Sequence, residues 1–163
     1  MTMSWLKYKL TLNLILIFSI FSILFAFYVE YILGHKPCNL CLLQRLPYIL
    51  AIIIIILVTI FKNLQKLSFL LLSLIFFSGT LLSLYHLGIE LEFISESFFC
   101  GGNIDTSITD KIEILKQLKK NKPISCKDVT FTILGFSLAT INAFISIIIT
   151  FITITIFIKY EKK

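Results

Sequence analysis

The residues able to do chemistry in this chain are few and unevenly placed. Cys38 and Cys41 share the stretch PCNLCLLQR, Pro37 to Arg45, and the other two cysteines are Cys100 and Cys126. A C-x-x-C pair is commonly redox-active, and it also supplies half of a zinc site. Zinc by four thiolates would need a second closely spaced pair, which Cys100 and Cys126 do not form, so no metal is expected. Two purely structural disulfides are the plainer alternative. Against them, a bridge from Cys38 to Cys41 would close a very small ring, and disulfide stabilisation grows with the length of the loop closed.

Arg45 stands out by composition. Of fifteen basic residues fourteen are lysine, so a generic positive charge is supplied by lysine everywhere else. The single guanidinium is therefore expected to present its planar fork of donors, for example to a carbonyl oxygen; the alternative is an interfacial arginine that snorkels. Cys41 falls where the second helix should begin, so the positive end of the helix dipole favours its thiolate. Arg45, four residues on, would share its helix face. The stabilised thiolate is thus expected at Cys41.

These residues are set in a chain of 163 residues that is 58% hydrophobic and 15% charged, with its apolar residues gathered into four long runs. The runs extend from about Leu10 to Leu33, Leu43 to Phe61, Leu67 to Leu87 and Phe131 to Ile158. Each approaches or exceeds the roughly 20 residues that span a bilayer. The expected fold class is an all-α membrane protein, a single domain over 1–163 with four transmembrane helices, the first retained rather than cleaved as a leader. The net charge of +6 does not signal nucleic acid, because the lysines cap apolar runs or sit in one loop. Lys7, Lys9, Lys62, Lys66, Lys159, Lys162 and Lys163 flank the runs and place both termini in the cytoplasm. The short loop 34–42 and the long loop 88–130 then face outward with all four cysteines, on the side where disulfides persist. Within the long loop, Thr106 to Pro123 shows an amphipathic stripe and is expected as a short helix.

His86 near the end of the third run and Arg45 near the start of the second should lie at similar depth, facing one pocket. An ionisable residue at that depth is a functional candidate. His35 is in the short loop, and Glu30 reads as an interfacial carboxylate.

Together, PCNLCLLQR, the YHLGIE stretch from Tyr85 to Glu90, Cys100 with Cys126, and SCKDVTFTILGFSLATINAF from Ser125 to Phe144 resemble the DsbB family of inner-membrane disulfide bond formation proteins. The resemblance covers nearly the whole chain and implies a quinone-dependent oxidase, with ubiquinone or menaquinone as cofactor, that reoxidises a periplasmic thioredoxin-fold partner of the DsbA type. It implies catalytic roles for Cys38, Cys41, Cys100 and Cys126. Cys100 would be attacked by the partner's thiolate, with Cys126 its partner in the resting disulfide. Cys38 would exchange with that pair, and Cys41 would pass electrons to quinone held near Arg45 and His86. Gln44 stands where some members carry Glu, and the segment with Gly135 and Asn142 is similar to only part of the family. An oxidase dedicated to one client, a conduit exporting reductant, and a structural membrane protein with static disulfides are the alternative functions.

Overall fold

The computed structural model describes residues 2–61, 64–95, 100, 125–127, 131–133 and 135–161. The amphipathic segment expected at Thr106 to Pro123 lies outside them. Helix α1 (Thr2–Phe27) runs into a π-helical turn at Tyr28–Ile32, and α2 (Asn39–Leu43) is followed by α3 (Leu46–Ile60). Helix α4 (Gln65–Glu90) returns to the cysteine end. A two-stranded antiparallel hairpin, β1 (Thr132–Ile133) with β2 (Phe136–Ser137), leads into α5 (Leu138–Glu161). Four segments, Tyr8–Ile32, Asn39–Ile60, Gln65–Glu90 and Leu138–Lys159, are long and apolar enough to cross a membrane. The fold is a four-helix membrane bundle.

The core is a set of stripes at helical spacing. Tyr48, Ala51, Ile55 and Val58 of α3 meet Phe69, Leu72 and Phe76 of α4, with Leu12 and Ile15 from α1. The most extensive packing joins α4 to α5, where small residues let the backbones approach: Ser73, Gly79, Thr80 and Ser83 on α4, Ala139, Ala143 and Ser146 on α5. At Gly79 α4 also closes on α3, since a Cβ there would come within 3.0 Å of the Pro47 ring, with Ser146 Oγ of α5 at 3.8 Å. The outward faces carry exposed Leu, Ile and Phe such as Leu14, Ile53, Leu74 and Phe151. Lipid is the solvent those faces fit, because water would penalise so continuous an apolar surface.

Two boundaries differ from the sequence reading. The fourth helix begins at Leu138 rather than near Phe131. Gly135 at φ +85° turns the chain, and Ser137 caps the helix by accepting from the Thr140 backbone N–H at 3.2 Å. The second span is broken rather than continuous. Pro47 lies in the first turn of α3, where its missing N–H and its ring do not permit an unbroken α-helix from residue 43 onward. The Arg45 N–H accordingly bonds Leu42 O at 3.1 Å, a tighter turn between α2 and α3.

Candidate active site

All four cysteines meet at one end of the bundle. Cys100 and Cys126 are disulfide-bonded, with their Cα atoms 5.4 Å apart, and pack with Cys38, Leu40 and Ile89 in a small buried cluster. Cys38 and Cys41 are free thiols, their Sγ atoms 3.0 Å apart. Cys38 is the N-cap of α2, and its Sγ accepts from the Cys41 N–H at 3.3 Å. His86 Nε2 stands 3.6 Å from the same sulfur.

Stabilisation therefore gathers on Cys38 and not on Cys41, contrary to the expectation from helix position. The cap residue's side chain receives the otherwise unpaired N–H of the first turn, whereas the Cys41 sulfur, three residues in, accepts no backbone N–H of that turn and faces Cys38 at 3.0 Å. The Cys41 thiol beside it, opposed by burial and aided by His86 and the Cys41 backbone, pulls the Cys38 thiol down to about 4. Cys38 is then mostly thiolate at neutral pH. Its alkylation by iodoacetamide, followed by peptide mapping, should be nearly flat from about pH 8 to pH 5 and fall only below. A thiol with an ordinary value near 8.5 would slow about tenfold for each unit below pH 8. That steeper profile at Cys38 would refute the assignment.

Arg45 is also placed differently. The break before Pro47 interrupts the helical register from Cys41, and the guanidinium reaches across to α1: Nη1 lies 2.6 Å from Glu30 Oε2, with Cζ 5.3 Å from the Phe27 ring centroid. Glu30, in the π-helical turn, is thus the counter-ion of Arg45 and not a bystander. Its signal in the sequence was a lone carboxylate inside an apolar run, which needs a partner.

Arg45 and His86 line one cavity of about 400 Å³ together with Cys38, Cys41 and apolar side chains including Phe21, Phe25 and Ile145. His35 borders it too, and its ring meets Phe131 at 5.4 Å between centroids. Beneath His86 lies a buried polar chain that sequence reading did not assemble. Gln44 Nε2 is 3.0 Å from His86 Nδ1, and Asn142 Nδ2 donates to Gln44 Oε1 at 3.2 Å and to Ser83 Oγ at 2.6 Å. The Tyr48 hydroxyl donates to Asn142 Oδ1. With Gln44 donating to Nδ1, the imidazole carries its proton on Nε2, toward Cys38 and toward Glu90 Oε1 at 3.7 Å. A mostly apolar cavity of this size with a few convergent polar groups suits a small planar ligand. The donors of Arg45 and His86 suit carbonyl oxygens, so a quinone ring fits the residues present.

A disulfide and a half-buried dithiol at one end of a four-helix membrane bundle define a membrane-embedded thiol–disulfide protein. The chain matches the family model of disulfide bond formation protein DsbB over residues 8–156 and belongs to that family, which makes it a disulfide oxidoreductase. It is 32% identical over 169 residues to uncharacterized protein RP370 of Rickettsia prowazekii (strain Madrid E), covering 100% of this chain and 98% of the relative. No solved structure matches.

Proposed function

We propose that the protein oxidises a periplasmic dithiol partner of the DsbA type and passes the electrons through its two cysteine pairs to membrane quinone. The observation that carries this reading is the approach of the pairs: the sulfurs of Cys38 and Cys126 and a ring nitrogen of His86 lie within 4.8 Å of one another. Exchange between the two disulfides is then a short displacement.

The partner's thiolate attacks Cys100 Sγ, forming a mixed disulfide and releasing the Cys126 thiolate. Cys100 is only 2% exposed, so docking must uncover it. The partner's second thiolate then attacks its own sulfur in the mixed disulfide, which frees the Cys100 thiolate and leaves the partner oxidised. When Cys38 and Cys41 are joined, the Cys126 thiolate attacks the nearer Cys38 Sγ and releases Cys41 into the cavity. Attack of Cys100 on Cys126 Sγ restores the outer disulfide and leaves Cys38 reduced. A stabilised Cys38 thiolate favours the reduced form of its pair and so draws electrons onto it, since a stabilised reduced state is what makes a dithiol pair oxidising. Quinone bound in the cavity supplies the sink for two electrons and two protons. DsbA-type partners sit near about −120 mV, and each ~30 mV of two-electron difference is worth ~1.4 kcal/mol, so only an acceptor of higher potential drives the sequence.

Purified protein given a reduced DsbA-type substrate should reduce quinone stoichiometrically with substrate oxidation; oxidation without quinone loss would discard the reading. Static disulfides make the opposite forecast in a thiol-trapping gel, where no cysteine would change state with the quinone pool.

The proposal places the cysteine end in the periplasm of a bacterial inner membrane and both termini in the cytoplasm, from the lysine flanks. In reduced intact cells a membrane-impermeant maleimide should react with native cysteines and miss one introduced by Asn63→Cys. Labelling at position 63 from outside would invert the topology.

A further inference from the structure

Spacing along the chain gave no reason for a metal, because Cys100 and Cys126 lie 26 residues apart. Folding removes that objection by a different grouping. Cys38, Cys126 and His86 come from the short loop, the long loop and α4, and their ligand atoms all lie within 4.8 Å of one another. Tetrahedral zinc, with Zn–S of about 2.3 Å and Zn–N of about 2.0–2.1 Å, sets S–N edges of about 3.6 Å and S–S edges of about 3.8 Å. The Cys38 Sγ to His86 Nε2 separation is 3.6 Å. Glu90 Oε1 lies 3.7 Å from the same nitrogen, its other oxygen held by Ser137 at 2.5 Å, and the fourth corner falls to water, as in three-ligand zinc sites. His86 Nδ1 is held by Gln44 at 3.0 Å; for Nε2 to ligate, the imidazole proton moves to Nδ1 and Gln44 turns its amide oxygen to accept it, the outer hydrogen bond that orients a ligating imidazole.

One ligand is withheld. Cys126 is tied to Cys100, and a disulfide sulfur is not the thiolate that zinc requires. We propose that reduction of the Cys100–Cys126 disulfide completes a buried zinc(II) site made of Cys38, Cys126 and His86, with water as the fourth ligand, so that the fully reduced protein is a metal-binding form and the disulfide-bonded protein is not. Reduction adds two electrons and two protons across the Cys100–Cys126 bond. On metal binding, any protons still held by the Cys38 and Cys126 thiols pass to the buffer as two Zn–S bonds form. Two thiolates balance one divalent cation, so the bound metal leaves far less buried charge uncompensated than the two thiolates alone. Bound metal would hold both sulfurs and keep the reduced protein out of exchange. The inference needs neither quinone nor partner, so it stands or falls apart from the oxidase reading.

The test uses full-length protein in detergent, reduced anaerobically with a water-soluble phosphine, which takes one oxygen from water as the disulfide becomes two thiols. After desalting, Zn²⁺ is titrated against a chromophoric chelator, and Co²⁺ is used in parallel for its thiolate charge-transfer absorption. The reduced parent should bind one zinc per chain, and the oxidised parent none. After the same reduction, Cys126→Ser and His86→Ala should each weaken binding by more than about tenfold, the loss that even an outer-sphere partner can cost. Cys100→Ser should keep the parent's stoichiometry and affinity. Where His86→Ala fails to assemble, His86→Gln keeps a polar group beside Gln44 and serves instead. Unchanged binding in Cys126→Ser or in the His86 variant would overturn the site and assign the metal to Cys38 and Cys41 alone. Parallel loss in Cys100→Ser, equal binding by the oxidised parent, or no stoichiometric zinc on the reduced parent would overturn it as well.

Discussion

Replacing Cys41 with serine is expected to abolish quinone reduction, by at least about a thousandfold or ~4 kcal/mol in the barrier, while the mixed disulfide between Cys100 and a reduced DsbA-type substrate still forms. The expectation follows from position: Cys38 faces the outer pair, within 4.8 Å of Cys126, and Cys41 shares the cavity with Arg45 and His86. Serine removes the thiol that would be released into the cavity but leaves Cys100 and Cys126 untouched. The remaining Cys38 thiolate can still attack Cys126, so a Cys38–Cys126 disulfide should accumulate as a dead end, detectable by non-reducing peptide mapping. Quinone reduction near the parental rate in this variant would show that electrons leave by another sulfur.

Arg45→Lys should raise the apparent KM for quinone by roughly tenfold to a hundredfold, the equivalent of about 1.5–3 kcal/mol for one charge-assisted hydrogen bond. Lysine can keep a single contact to Glu30, now made by Nη1 at 2.6 Å, and so preserves the tie between α1 and the start of α3. What it loses is the rest of the planar fork. Reaction with substrate at Cys100 should be unaffected, and membrane yield should match the parent. Kinetics varying quinone at saturating reduced substrate separate these effects. A lysine variant equal to the parent at every quinone concentration would make Arg45 a structural anchor of Glu30 only.

The four spans were legible because runs of Ile, Leu and Phe near twenty residues long have one physical use. Grouping of the cysteines at one end was legible too, since four successive spans running up and down bring both loops to the same end of the bundle. The exact geometry was not. Pro47 sits two residues past Arg45, and its effect on the helix was knowable, but how the break would turn the guanidinium depends on Glu30, fifteen residues away in the π-helical turn after α1. Asn142 and Gln44 are 98 residues apart, and their contact is set by how α5 meets the turn between α2 and α3, a tertiary matter that periodicity does not encode. Residues 131–137 read as helix by hydropathy alone, and the glycine at 135 prevailed over it.

The chain of side chains from Tyr48 through Asn142 and Gln44 to His86 has one property that its distances do not display. Each member between the ends both gives and receives a hydrogen bond, so direction is a shared attribute of the whole row. Moving the imidazole proton from Nε2 to Nδ1 would oblige Gln44 to offer its oxygen, Asn142 to turn likewise, and Tyr48 to become an acceptor. Two mirror-image orderings satisfy these side chains, and mixed ones leave a pair of like atoms facing each other in mostly apolar surroundings. The tautomer beside Cys38 is thereby registered three residues deep, at a hydroxyl on α3, as a row of dominoes records which end was pushed.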